Sequence, residues 1–131
     1  MTPNVVPLFP AMPAFRPPQA VRPDLRGVEA ARLCRVASAI AAAAFDVPPE
    51  EMSARTRRTA DVVAARHVAI YLANVVFQVS LQKVADVFGR DRTSIGHAVR
   101  RVEDRRDEPD FDARVEKLER IASVYRAGCE R

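Results

Sequence analysis

The stretch from 80 to 101, SLQKVADVFGRDRTSIGHAVRR, constrains the fold of this chain more than any other. Two apolar stripes at helical spacing flank a glycine, which predicts two short helices joined by a tight turn. Gly89 can end the first helix in a left-handed conformation, and Ser80 and Asp91 are residue types that cap helix N-termini. The stripes are Leu81, Val84, Ala85 and Phe88 in the first helix and Ile95, Val99 and Val102 in the second.

The other faces of the second helix carry hydroxyls, an imidazole and arginines. Such a set at the start of a helix after a tight turn is typical of a recognition helix, which enters the DNA major groove N-terminus first. Arginine can pair with guanine, aspartate can accept from the cytosine amino group, and threonine can contact the thymine methyl group. The side chains concerned are Arg92, Thr93, Ser94, His97, Arg100 and Arg101.

The whole chain is expected to be all-α, with about six helices. Besides the pair above, helices are predicted for residues 24–45, 48–52, 59–77 and 110–128, and the third of these is expected to be central. The buried stripe predicted for the first helix is Val28, Leu33, Val36, Ala37, Ile40 and Ala44. The one predicted for the last helix is Phe111, Val115, Leu118, Ile121 and Val124 or Tyr125.

The N-terminal segment differs in composition from the rest of the chain. Seven of the 10 prolines lie at or before Pro23, which excludes a helix there. Two interpretations remain open, a disordered tail without a partner and a docking peptide in polyproline II form. We therefore divide the chain into a disordered Pro-rich tail (1–23), a helix-turn-helix domain (24–108) and a C-terminal helix (109–131).

Length and composition exclude several classes of function. The 131 residues suit one small domain with extra segments, and the net charge of +4 favours a polyanionic partner. The two cysteines, Cys34 and Cys129, lack metal spacing, so two free thiols and no metal site are expected. We found no catalytic constellation, phosphate-cradling GxxxxGK[ST] run, secretory signal or membrane-spanning segment. The sequence thus predicts a cytoplasmic, nucleoid-associated protein that is not an enzyme and needs no cofactor.

The turn and second helix resemble the C-terminal DNA-binding domain (domain IV) of DnaA, the bacterial chromosomal replication initiator. The family pattern is Gly-Arg-Asp-His-Thr-Thr, then His-Ala and a basic pair. This chain reads GRDRTS at 89–94, HA at 97–98 and RR at 100–101, and the resemblance covers roughly residues 28–106. It implies double-stranded DNA binding at sites like the DnaA box, roughly TTATNCACA. The length leaves no room for the initiator's ATPase domain, so a stand-alone relative is expected.

The resemblance also implies roles for single residues. Arg58, in the basic run 55–59, would contact the minor groove, and Arg66 and His97 would lie at the DNA backbone. Arg90 would contact phosphate or a base, and the three residues after it would read base edges. The full set expected to contact DNA is Arg57, Arg58, Arg66, His67, Lys83, Arg90, Asp91, Arg92, Thr93, Ser94, His97 and Arg101.

Two departures from the family pattern affect the expected specificity. The turn is one residue shorter, and Arg92 replaces the family histidine, which differs in reach and donor geometry. The predicted function is specific DNA binding that regulates replication initiation or transcription. The alternatives are a protein-interaction module acting on the initiator or its regulators, and a regulator from a mobile element. DNA is the expected partner, the initiator is a second candidate, and the oligomeric state is left open.

Overall fold

The computed structural model describes residues 23–52 and 59–129, with side chains from residue 27 onward, and every regular element in these ranges is a helix. A 3₁₀ helix, Pro49–Met52, precedes the central helix Ala60–Tyr71 (α2), and a π-helical turn, Leu72–Val76, extends it. The predicted all-α fold is confirmed. The predicted Pro-rich tail and basic loop fall largely outside the described residues. The α-helices are α1 (Pro23–Ala44), α2 (Ala60–Tyr71), α3 (Leu81–Phe88), α4 (Arg92–Arg105) and α5 (Pro109–Cys129).

The helices begin where side chains can satisfy their first free N–H groups. The Thr59 hydroxyl accepts from the Val62 N–H at 3.4 Å and so caps α2. The Ser80 hydroxyl accepts from the Lys83 N–H at 3.2 Å and caps α3, as predicted. Helix α5 begins at Pro109, which has no N–H to leave unpaired at this position. Local sequence therefore determines these helix starts.

Helix α2 lies at the centre of the fold, as predicted. Ala65, Val68 and Ala69 have no exposed surface, and α1 and α4 pack against this helix. The continuation into the π-helical turn keeps Leu72 and Ala73 fully buried as well. Because alanines form much of this buried face, neighbouring helices can approach closely without voids. The position of α4, the predicted recognition helix, therefore depends on α2.

The apolar stripe predicted for α1 is wrong in part. Val28 is 63% exposed and Ala44 is also exposed, whereas Leu33, Val36 and Ile40 are only partly buried. Small side chains instead form the buried line, because only they allow α1 to lie close to α2. The buried residues of α1 are Ala30, Cys34, Ala37, Ala41 and Ala42.

The prediction for α5 needs a similar correction. Ile121 is 45% exposed and Val124 is 73% exposed, whereas Ala122 is fully buried. The helix also continues past Gly128 to Cys129 instead of ending at the glycine. Tyr125 packs edge-on against Phe77 with ring centroids 5.9 Å apart. Phe111, Val115 and Leu118 are buried, as predicted, so only the last part of the predicted stripe is wrong.

A polar network joins the end of α4 to α2 and α5. Arg106 donates to Asp112 Oδ1 at 2.6 Å, to Glu119 Oε2 at 2.9 Å and to the Tyr71 hydroxyl at 3.0 Å. The Tyr71 hydroxyl in turn donates to Glu119 Oε2 at 3.0 Å. Burial opposes the charge of Arg106, but these hydrogen bonds outweigh it and raise its pKa above the ordinary value. Burial is also the main cause of the raised pKa of Tyr71.

Both cysteines are free thiols, as predicted. Cys34 is buried in α1, and burial raises the pKa of its thiol to about 11, so it stays protonated at neutral pH. Cys129 is exposed at the end of α5. Among the described residues, no group of three or more His, Cys, Asp or Glu side chains could hold a metal ion. The described helices include none that is long and apolar enough to cross a membrane.

The close packing of α1 on α2 can be tested with a matched pair of alanine substitutions. Ala41 is fully buried and Ala43, two residues on, is exposed. We expect Ala41→Leu to lower the free energy of unfolding by about 1–3 kcal/mol, because a filled interface cannot accept three more carbons without moving the helices. Ala43→Leu should change it by less than about 0.5 kcal/mol. Urea denaturation measures both values, and equal effects of the two changes would contradict the close packing.

Candidate nucleic-acid interface

The turn between α3 and α4 is built around one left-handed glycine. Gly89 has φ 67° and ψ 37° and ends α3, as predicted. The next N–H, that of Arg90, donates to the Ala85 carbonyl at 3.0 Å. Asp91 then caps α4, so a single residue separates the end of one helix from the cap of the next. This short connection holds the N-terminus of α4 at a defined place beside α3.

The Asp91 carboxylate is engaged at the start of α4. Its Oδ1 accepts from the Ser94 N–H at 2.7 Å, and its Oδ2 accepts from the Ser94 hydroxyl at 3.3 Å. The backbone hydrogen bond from Ser94 is the main reason why the pKa of Asp91 lies below its ordinary value. The predicted N-cap is therefore confirmed, and any contact between Asp91 and a base must start from this fixed position.

Helix α4 turns one side to the core and the other to solvent. Ile95 has no exposed surface, and Ala98, Val99 and Val102 are buried with it. The side chains expected to read bases are all exposed at its N-terminal end. Within the described residues, four cations from α3, the turn and α4 take part in no salt bridge, which leaves their charge available to an anion. These four are Lys83, Arg90, Arg92 and Arg101.

A groove of about 400 Å³ runs between α2 and α4. Six of the predicted DNA-contacting residues meet there, although they come from three separate parts of the chain. Val63, Ile70 and Ala98 complete its lining. The six residues are Arg66 and His67 from α2, Arg90 from the turn, and Ser94, His97 and Arg101 from α4.

Arg66 has a structural contact that its position in the sequence did not reveal. It is only 7% exposed, and it is the one charged residue among those that the structure describes as buried. Its Nε and Nη2 both donate to the Glu51 carbonyl, at 3.0 and 2.6 Å. Arg66 thereby joins α2 to the 3₁₀ helix while also lining the groove. Its predicted contact with the DNA backbone stays a prediction.

Of the predicted residues that the structure describes, four others do not line this groove. Asp91, Arg92 and Thr93 are exposed at the start of α4. Lys83, the fourth, is exposed on α3. Arg57 and Arg58 belong to the six residues, 53–58, outside the described ranges. His97, by contrast, lies at the groove, and its Nδ1 accepts from Arg100 Nη2 at 3.3 Å.

The sequence did not reveal the residues that fix α4 to its neighbouring helices or the apolar residues that line the groove. Arg106 was not assigned a role, because its partners lie on other helices and no local pattern reveals them. Val63 and Ala98 were not assigned to the groove for the same reason. Apolar periodicity could have placed them on the inner sides of α2 and α4, but not opposite one another.

Comparisons with known proteins agree with this geometry. The family model described as bacterial dnaA protein helix-turn-helix matches residues 35–102. The chromosomal replication initiator proteins DnaA of Bordetella pertussis and Bordetella petrii are each 47% identical over 51 residues. That segment is 38% of this chain and 11% of each relative. A crystal structure of a DNA replication initiation factor superposes with a TM-score of 0.69 at 26% identity, covering 78% of this chain and 32% of that one.

The capping role of Asp91 predicts a specific acid sensitivity. Because its pKa is lowered in the folded chain, its contribution to stability is complete above the unfolded pKa, about 3.9, and is lost as the pH falls through the folded value. Asp91→Asn keeps a capping side chain without a charge. The difference in the free energy of unfolding between the unsubstituted protein and Asp91→Asn should therefore shrink as the pH falls from about 5 to about 2. Urea denaturation at each pH measures this difference. A difference independent of pH would contradict this role.

The two glycines of this region predict opposite effects of the same substitution. A Cβ at Gly96 would meet only Arg100 Nη1, at 3.8 Å, so Gly96→Ala should raise the free energy of unfolding by about 1 kcal/mol. Gly89 has a positive φ, so Gly89→Ala should lower it by about 1–2 kcal/mol. Chemical denaturation measures both. Stabilisation by Gly89→Ala would show that the turn is not held in the left-handed conformation.

Proposed function

Because the chain belongs to the bacterial DnaA helix-turn-helix family, whose model matches more than half of it, we propose that it binds double-stranded DNA specifically at sites like the DnaA box. The action is equilibrium binding without catalysis. The biological consequence is regulation of replication initiation, by occupying such sites, or of transcription. Binding to the chromosome would place the protein at the nucleoid.

The observation that carries this proposal is the convergence of cations on one side of α4. Arg90 and Arg101 line the α2–α4 groove, and Arg92 is exposed at the N-terminus of the same helix. A DNA duplex presents phosphates on both sides of its major groove, and this arrangement supports contact with both the groove and its edge.

The proposed contacts fall into two groups, those to the DNA backbone and those to the bases. Phosphates are bound along the α2–α4 groove by Arg90, Ser94, His97 and Arg101. Lys83 adds a phosphate contact from α3. Arg92 and Thr93 extend from the first turn of α4 to base edges, where arginine prefers guanine and threonine can contact the thymine methyl group. Arg57 and Arg58 reach the minor groove, whose negative potential favours arginine.

A second candidate function is contact with the initiator or its regulators. An apolar groove of about 770 Å³ lies between α1 and α5, away from the α2–α4 groove, with exposed Ile121 at its edge. Exposed apolar surface of this kind supports a protein contact. The matched relatives are about nine times longer than the segment they share with this chain, so the activity of a whole initiator is not transferred.

The first experiment compares binding to a labelled duplex carrying TTATCCACA with binding to a scrambled duplex. We expect at least tenfold tighter binding to the first, measured by fluorescence anisotropy across a salt series. Arg92→Ala should cost about 1–3 kcal/mol on the specific duplex and much less on the scrambled one, because it removes a base contact.

Arg120→Ala is the matched control. It removes the same charge from an exposed position on α5, outside the groove, and should leave the preference between the duplexes unchanged. Equal binding of the unsubstituted protein to both duplexes would reject specific readout. Absence of binding at low salt would reject DNA binding and favour the protein-contact function, which Arg92→Ala should not affect.

A further inference from the structure

The groove between α1 and α5 is bounded by two helices that run in opposite directions. Arg32, in the first half of α1, donates to the Tyr125 hydroxyl near the end of α5. Phe45, just after α1, has its ring centroid 4.8 Å from the Arg114 guanidinium carbon near the start of α5. The groove of about 770 Å³ is lined by Ala39, Ile40, Ala43 and Ala44 on one side and by Ala113, Arg114, Lys117, Leu118 and Ile121 on the other.

The apolar part of this lining is open to solvent. Small side chains form the α1 side, where Ala43 and Ala44 are exposed. On α5, Ile121 is 45% exposed, and Val124, about one turn further along the same side of the helix, is 73% exposed. Aliphatic surface that continues across two neighbouring helices is typical of a contact with another protein segment.

An α-helix fits this surface better than an extended peptide. Apart from two cationic side chains, every residue that lines the groove is apolar, so the lining offers few hydrogen bonds to a bound backbone. A helix pairs its own N–H and C=O groups, whereas an extended segment would leave part of them unpaired against apolar side chains. The alanines of α1 also allow the axis of a third helix to come close.

The charge at the groove indicates an acidic partner. Arg114 and Lys117 are exposed there, and neither takes part in a salt bridge with the described residues. No carboxylate occurs among the described residues that line the groove. The two cations are three residues apart on one helix, so both can face the same side of a bound segment. Carboxylates on that side would be attracted, and cations would be repelled.

Two occupants from this chain itself fit the charge less well. Residues 1–23 include Arg16 and Arg22 and contain no Asp or Glu, so that segment would bring positive charge to a cationic groove. In a two-fold dimer through the same surface, Arg114 and Lys117 would lie close to the same cations of the second copy. A segment of another protein with carboxylates beside an apolar stripe avoids both repulsions.

We propose that the α1–α5 groove binds an acidic amphipathic helix of another protein. Its aliphatic stripe lies on Ile40 and Ile121, and its carboxylates pair with Arg114 and Lys117. This inference rests on the second candidate function and names the chemistry of the partner segment. The α1–α5 and α2–α4 grooves share no lining residue, so this helix and DNA can be bound at the same time.

The test selects binders of the full chain from a displayed library of helical peptides of about 16 residues, roughly four turns. The library carries random residues at every second-face position and aliphatic residues at helical spacing on one face. We expect the selected peptides to be rich in Asp and Glu beside an aliphatic stripe, because the groove offers cations and apolar surface together. Fluorescence anisotropy then measures the affinity of the strongest selected peptide.

Substitutions assign the binding to the groove. Ala43→Glu places bulk and negative charge in the lining and should weaken peptide binding by about tenfold or more. Ala127→Glu makes the same change at an exposed position of α5 outside the groove and should change it by less than about twofold. Lys117→Glu should also weaken binding, and a peptide with lysines in place of its glutamates should prefer this variant to the unsubstituted protein.

Several outcomes would overturn the inference. Selected peptides that are basic, or that bind Ala43→Glu and Ala127→Glu equally well, would mean that the groove is not their site. Sedimentation that shows a dimer lost in Ala43→Glu would assign the groove to a second copy. Binding of a synthetic peptide of residues 1–22 that is lost in Ala43→Glu would assign it to the chain's own N-terminal segment.

The same variants separate this inference from the proposed DNA binding. Ala43→Glu and Lys117→Glu should keep the preference for the TTATCCACA duplex over the scrambled one, because they lie outside the α2–α4 groove. Duplex preference without any selected acidic peptide would reject this inference alone. Acidic peptide binding without duplex binding would reject the DNA proposal and leave this inference standing.

Discussion

The burial of α2 is the constraint on which the rest of the molecule depends. Alanines at its tightest contacts let α1 and α4 pack closely against it, with no exposed surface at Ala65 or Ala69. Because α4 must bury Ile95 and Val102 in the core, its rotation about its own axis is determined by packing. The polar residues of its first turn then have one direction left, toward solvent. The exposure of the polar side of α4 is thus a consequence of packing.

The cationic side chains at the two ends of α4 differ in whether they are paired within the protein. At its C-terminal end, Arg106 is held by Asp112, Glu119 and the Tyr71 hydroxyl, so its charge is used inside the fold. At its N-terminal end, Arg92 has no salt bridge to any described residue. One end of the helix is anchored and the other offers cations to an outside anion. A helix anchored in this way would lose little further freedom on the DNA binding proposed for it, which would favour affinity.

The sequence predicted what depends on neighbours in the chain and missed what depends on distance. The caps at Ser80 and Asp91 and the left-handed Gly89 follow from local chemistry, and all are confirmed. The stripes of α1 and α5 were partly wrong, because hydrophobicity favours Val28 and Val124 while close packing requires small residues such as Ala41 and Ala122. The burial of Arg66 depends on Glu51, fifteen residues away, and helical spacing alone contains no sign of it.

The short turn bears on how such a chain would read DNA. With Arg90 as the single residue between Gly89 and the cap, Asp91 is held by two hydrogen bonds from Ser94. A carboxylate has about four acceptor sites, so Asp91 can still accept a hydrogen bond from a base. The side chain cannot change its position, however, without breaking the hydrogen bonds that cap α4. Arg92 and Thr93, one and two residues further, have no such commitment and are exposed. Arginine, with its long stem and planar fork, then has the greater freedom to select a guanine. The residue that departs from the family pattern is therefore the one best able to alter the sequence preference.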